Sequence, residues 1–123
     1  MLDGLKAIFK TRDPVVIFPA SGTGAWEAAL VNTLSQGDQV LAFETGHFAT
    51  LWCTMATRLG LKVQLVRGDW RHGVDAKMLE SILAEDRMHK IKAVMAVHNE
   101  TSTGVTSRID RVRRAIDNAH DAI

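Results

Sequence analysis

Val15-Val16-Ile17-Phe18-Pro19-Ala20-Ser21-Gly22-Thr23-Gly24-Ala25-Trp26-Glu27 decides how the rest of the chain is read. The four leading apolar residues predict a strand at 15–18. Trp26, Ala29, Leu30 and Leu34 predict a helix over 25–34. Between them lies a turn of small residues. Such a turn leaves backbone N–H groups free at the helix start, where the helix dipole also favours an anion. Ser21 and Thr23 add hydroxyl donors, so the stretch reads as a phosphate cradle. Spacing alone allows a second reading, a tight turn in which Ser21 caps the helix. The stretch has neither the lysine of a P-loop nor the third glycine of a dinucleotide fingerprint, which argues against a small nucleotide-binding domain.

Strand and helix patterns alternate on either side. Leu2, Leu5, Ile8 and Phe9 predict a helix over 2–11, broken at Asp13-Pro14. After the cradle helix stops at Gly37, a strand is predicted at 38–43. Phe48, Leu51, Trp52, Met55, Ala56 and Leu59 then share one face of a helix that ends at Gly60. A strand at 61–66 and a turn-rich loop at 67–73 follow, and Asp75 can cap a helix bearing Met78, Leu79, Ile82 and Leu83. The last strand is predicted at 91–97. Ser107 and Asp110 make a capping-box-like start to a final helix with Ile109, Val112, Ile116 and Ala119 as its buried stripe. This order predicts an α/β fold, a mainly parallel sheet with helices on its faces.

Composition narrows the function. The 123 residues suffice for one domain, with 46% hydrophobic and 24% charged residues in ordinary globular proportion. Lys+Arg of 15 against Asp+Glu of 14 gives a net charge of +1, no electrostatic case for nucleic acid or an anionic membrane. The single cysteine, Cys53, excludes an internal disulfide and falls inside a helical pattern as a small buried residue. No apolar run approaches membrane-spanning length, and the first residues lack the layout of a signal peptide. The expected location is the cytoplasm.

Ligands of an open parallel sheet collect beyond the carboxyl ends of its strands. Four loops are predicted there: Ser21-Gly22-Thr23-Gly24, Thr45-Gly46-His47-Phe48, Gly68-Asp69-Trp70-Arg71-His72 and Asn99-Glu100-Thr101-Ser102-Thr103. His47 reads as a general base or as an ordinary loop histidine. Phe48 reads as core, or as a flat face offered to a planar ligand. Asp69 and His72 lack the third partner that a metal site needs, so no metal is expected. Ser21 does not sit in a nucleophile elbow. Glu100 and Thr101 either bond a ligand or hold their loop.

These four loops, with Ser21-Gly22-Thr23-Gly24-Ala25-Trp26-Glu27-Ala28-Ala29-Leu30, Glu44-Thr45-Gly46-His47-Phe48, Gly68-Asp69-Trp70-Arg71-His72-Gly73 and His98-Asn99-Glu100-Thr101-Ser102-Thr103-Gly104-Val105 in collinear order, resemble the class V pyridoxal-phosphate aminotransferases, most closely the serine–glyoxylate and alanine–glyoxylate group. The resemblance implies that Ser21, Gly22 and Thr23 hold the phosphate of pyridoxal 5'-phosphate. It implies that Phe48 stacks on the pyridine ring, and that Thr101 brings a hydroxyl to the cofactor. It further implies a partial three-layer α/β/α sandwich, part of the fold-type I large domain, with residues 1–123 as one incomplete cofactor-binding domain. The Schiff-base lysine, the acidic partner of the pyridine nitrogen and the C-terminal small domain would lie beyond residue 123, so no transamination by the chain alone is expected. The implied substrates are an amino acid and a 2-oxo acid. A four-stranded sheet with an open edge and the dimeric habit of the family lead to an expected homo-oligomer, or pairing with the missing segment. The alternative is a non-catalytic remnant that serves as a binding or assembly module.

Overall fold

A computed structural model describes residues 2–119. Its centre is β1 (Gln39–Phe43), flanked by β2 (Lys62–Val66) on one side and β3 (Ile91–Met95) on the other, all parallel. Gln39 faces Lys62 and Phe43 faces Val66 across the first pair. A register shift after Gln39 brings Val40 opposite Ala93 across the second. A strand covered on both faces reads as a continuous apolar run rather than an alternation, and Val40, Leu41, Ala42 and Phe43 are all buried.

The pleat divides that run between two cores. Leu41 and Phe43 pack with Leu79 and Leu83 of α4 (Ala76–Glu85), Ile91, and Val112, Ala115 and Ile116 of α5 (Ile109–Ala119). Val40 and Ala42 pack on the opposite face with Leu30 of α2 (Gly22–Thr33), Cys53 and Ala56 of α3 (His47–Arg58), Leu61 and Met95. Helices thus cover both faces of the sheet, as the strand–helix alternation predicts. Asp75 caps α4 as expected, its carboxylate accepting from the Lys77 and Met78 N–H groups. No helix among the described residues is long and apolar enough to cross a membrane.

Several expectations need correction. Residues 15–18 form no strand, and the parallel sheet has three strands rather than four. Val16, Ile17 and Phe18 are 66%, 56% and 70% exposed. An apolar run becomes a strand only when another strand takes its N–H and C=O groups, and among the described residues none lies beside it. The first helix, α1 (Leu2–Phe9), forms but buries nothing. The helix after the cradle starts at Gly22, three residues before the predicted start at Ala25. The last parallel strand stops at Met95 rather than at residue 97. Beyond it the chain folds back as an antiparallel hairpin, β4 (Asn99–Glu100) with β5 (Val105–Thr106), closed by Gly104 at φ +74°. Strands of two residues each carry too little pattern to be seen in advance. Nor does Ser107 cap α5. It is buried, it donates its N–H to the His98 carbonyl, and its Oγ accepts from Val74 N–H, while the Arg108 carbonyl takes the first bonds of the helix. Ile109 consequently stands outside the stripe, 38% exposed.

Candidate functional site

Of the helices that begin near the carboxyl end of the sheet, α2 and α3 treat their first N–H groups differently, while the start of α4 is capped by Asp75. At α2, Ser21 occupies the N-cap position in extended conformation, φ −83° and ψ 173°, yet its side chain makes no capping bond. The first intrahelical bond runs from Ala25 N–H to the Ser21 carbonyl. The N–H groups of Gly22, Thr23 and Gly24 and the hydroxyls of Ser21 and Thr23 find no acceptor among the described residues. Nothing lies within 4 Å of where a Gly22 side chain would begin. The capping reading of Ser21 is therefore not realised. The turn is an open set of donors at a positive helix end.

At α3 the same groups are all taken. Gly46 holds the N-cap position and has no side chain to cap with. The acceptors come from 51 to 55 residues further along the chain. Ser102 Oγ accepts from His47 N–H at 2.9 Å, Glu100 Oε1 from Phe48 N–H at 3.3 Å, and Glu100 Oε2 from Ala49 N–H at 3.0 Å. Glu100 Oε1 also accepts from the Ser102 N–H and hydroxyl at 3.2 and 2.8 Å. Glu100 is 1% exposed. Burial pushes its carboxyl up, but the Ser102 hydroxyl and the Ala49, Ser102 and Phe48 N–H groups outweigh this and hold it below the usual carboxylate range. A β-carbon on Gly46 would sit 2.4 Å from Glu100 Cγ, so glycine here makes room for that side chain. Of the two readings open for Glu100, holding the loop is the one observed.

Phe48 lies half-buried between these two helix starts. Its ring and that of Trp26, from the second turn of α2, meet edge-to-face at 6.4 Å and 70°, and Trp26 in turn stacks on Trp52 at 5.0 Å. The aromatic contact therefore ties the cradle helix to α3. Thr101 sits exposed between Glu100 and Ser102, and its hydroxyl makes no bond among the described residues. Thr103 secures the other side of the hairpin turn through the Thr45 carbonyl. Phe48 and Thr101 are thus joined through their neighbours' hydrogen bonds, and Ser21–Thr23 are joined to Phe48 through Trp26. His47 is exposed, its ring 5.8 Å from that of Phe48. Buried Cys53 has its thiol pushed up by desolvation and by the Glu44 charge, which suits a core residue.

The loop at 67–73 forms a separate corner. Asp69 accepts from Arg71 and His72 N–H and from the His72 ring at 2.8 Å, which makes the pair a local turn device. The Arg71 N–H and the His72 ring hold the exposed Asp69 carboxyl low. Among the described residues no three His, Cys, Asp or Glu side chains converge as metal ligands. Trp70 adopts φ +61° and sends Nε1 to Glu44 at 3.3 Å. A cavity of about 280 Å³ opens between this loop and the ends of β1 and β2, without touching Ser21, Phe48 or Thr101. Lys62 and Lys92 stand at the amino ends of β2 and β3, the far end of the sheet from these loops.

Sequence reasoning did not foresee the roles of Gly46, Ser102 and Thr103. One signal was available for them. A helix headed by glycine, with no Ser, Thr, Asp or Asn of its own at the N-cap, needs acceptors from elsewhere.

Known proteins are similar to this chain in sequence and in fold. The family model described as aminotransferase class-V matches residues 3–123. A serine–glyoxylate aminotransferase of Methylorubrum extorquens is 52% identical over 98% of this chain and 30% of its own length. An L-aspartate–glyoxylate aminotransferase of Paracoccus denitrificans is 49% identical over 99% of this chain and 31% of its own. The crystal structure of pyridoxamine–pyruvate aminotransferase from Mesorhizobium loti superposes with a TM-score of 0.82 over 97% of this chain and 30% of that one, at 20% identity, a likeness of fold. The chain thus spans about 30% of the length of the relatives it matches.

Proposed function

Because the chain belongs to the class V aminotransferases, matched from residue 3 to residue 123, we propose that it binds pyridoxal 5'-phosphate and serves transamination from an amino acid to a 2-oxo acid. One observation carries this reading. Among the helix starts near the loops, α2 keeps its donors open, whereas α3 has its own satisfied by Ser102 and Glu100 and α4 is capped by Asp75. An anion is therefore directed to Ser21, Gly22 and Thr23. The residues present fit the group: free N–H and hydroxyl donors for a phosphate, a half-buried ring at Phe48 for a planar heterocycle, and an unengaged hydroxyl at Thr101.

When bound, pyridoxal phosphate supplies the electron sink that lets an amino group leave one carbon skeleton and join another. The chain's own residues orient it. Ser21, Thr23 and the α2 N–H groups anchor the phosphate. Phe48, held against Trp26, would present its ring to the planar cofactor. Thr101 would offer its hydroxyl to the cofactor. The names of the 52% and 49% identical relatives share glyoxylate as acceptor and differ in donor. We take glyoxylate as the acceptor and serine as the first donor to try.

Titration of the chain with pyridoxal phosphate, followed by absorbance or tryptophan fluorescence, tests the binding. Ser21→Ala and Thr23→Ala are each expected to weaken it about tenfold, the loss of one hydrogen bond to a charged group. Affinity unchanged in both variants would contradict the cradle. A partner is part of the same reading. Ile8, Phe9, Val16, Ile17 and Phe18 stand 56–74% exposed, and apolar groups left in water favour association. Self-association should make the melting temperature rise with concentration, and a concentration-independent melting temperature would argue for a monomer.

A further inference from the structure

Glu100 is the one buried charged residue among those described, and its chemistry is spent on two backbone segments. Its Oε1 takes the Phe48 N–H, the Ser102 N–H and the Ser102 hydroxyl, and its Oε2 takes the Ala49 N–H. Ser102 passes the connection on to His47 N–H. The consequence is specific in place. The segment held on one side carries Phe48, whose own N–H is among the donors. The segment held on the other carries Thr101, flanked by Glu100 and Ser102 themselves. Thr101 has its backbone fixed from both sides while its hydroxyl stays open. Gly46 completes the device, because a side chain there would fall 2.4–2.7 Å from Glu100 and Ser102. Helix capping by itself needs nothing so distant. A Ser or Asp at the N-cap would do it locally. A carboxylate brought from the β4–β5 hairpin additionally locks the hairpin to the helix.

We propose that Glu100 is a positioning residue that locks Phe48 and Thr101 into a single unit, so that ring face and hydroxyl meet a planar phosphorylated ligand together. The proposal rests on the reading of Ser21–Thr23, Phe48 and Thr101 as the pyridoxal phosphate site. It adds a division of labour. The α2 start recognises the phosphate alone, and the Glu100 clamp recognises the ring. The clamp also fills the positive end of α3 with an internal anion, which leaves α2 as the start that an external phosphate selects.

The division is measured by comparing two ligands on the same chain, pyridoxal phosphate and inorganic phosphate, with Glu100→Gln. Glutamine keeps the shape but loses the charge and turns an NH2 group toward backbone N–H groups. The expected result is a loss of about tenfold or more for pyridoxal phosphate with inorganic phosphate held within about twofold. Phe48→Ala added to Glu100→Gln should cost little more than Glu100→Gln alone, since that substitution already releases the ring. Ser102→Ala, which removes only the link to His47 and one bond to Glu100, is the milder second variant and should shift the ligands in the same order. Equal losses for the two ligands in both variants, or additive losses in the double variant, mean that Glu100 only stabilises the fold, and overturn the proposal. Absence of pyridoxal phosphate binding by the unsubstituted chain overturns the functional reading, and this proposal with it. Binding by the unsubstituted chain with unchanged ring affinity in Glu100→Gln overturns this proposal alone.

Discussion

Replacing Leu79 with alanine is expected to lower the unfolding free energy by about 2–5 kcal/mol, the range for a leucine truncated in a packed core. Leu79 has no solvent exposure and lies between α4, the sheet and α5, in one cluster with Leu41, Phe43, Leu83, Ile91, Val112, Ala115 and Ile116. Each of these seven neighbours sits on a regular element, so the space left by three carbons closes only by moving a strand or a helix. A urea denaturation curve reads the change, with the midpoint falling and the slope unchanged. A loss below about 1 kcal/mol would mean that α4 does not pack against the sheet in this manner. A three-stranded domain with α1 and residues 15–18 unburied has a small margin, so this substitution is expected to leave much of the chain unfolded at ambient temperature.

Gly68→Ala is expected to cost about 3 kcal/mol through the opposite fault, an excess of atoms. A β-carbon at residue 68 would stand 2.1 Å from the Glu44 carbonyl oxygen. That oxygen is backbone and cannot swing aside as a side chain can. Glu44 is also fixed by its own N–H to Val66 and by the Trp70 Nε1 bond to its carboxylate. The chain after β1 and the chain after β2 must therefore part, and the loop at 67–73 loses its seat. The same denaturation experiment checks it, and a change within about 0.5 kcal/mol would show that the loop does not approach Glu44.

These two positions mark what the sequence can and cannot tell. Leu79 is readable because helix periodicity puts Met78, Leu79, Ile82 and Leu83 together, and Leu79 and Leu83 are the ones the sheet covers. Asp75 is readable because a cap acts within three residues of itself. Gly68 looks like any loop glycine, since its reason lies in a chain segment 24 residues away. Residues 15–18 mislead in the other direction. Their composition suits a strand, but pairing is a property of two segments, and the second is not among those described.

The candidate site divides along the same line. Open donors at Ser21–Gly24 follow from a small-residue turn before a helix, and the structure bears out that the turn is open. It also removes the competing cap, which spacing alone left standing. Glu100 could be read as a ligand contact or a loop holder, and only its hydrogen bonds to Phe48, Ala49 and Ser102 decide between them. The Trp26–Phe48 contact joins residues on two helices, and neither helix pattern implies it. Local chemistry is thus legible wherever its cause is local. The clamp on α3 is not, because its two halves lie about 50 residues apart.

The central claim is that the α2 start is left open for an external phosphate while the α3 start is closed by Glu100. An amide-resolved NMR titration of the chain with pyridoxal phosphate measures it directly. The account predicts saturable shifts of the Gly22, Thr23 and Gly24 amides, with smaller shifts at Phe48 and Thr101 from the ring. Shifts centred on His47, Phe48 and Ala49, with Gly22–Gly24 unmoved, would contradict it.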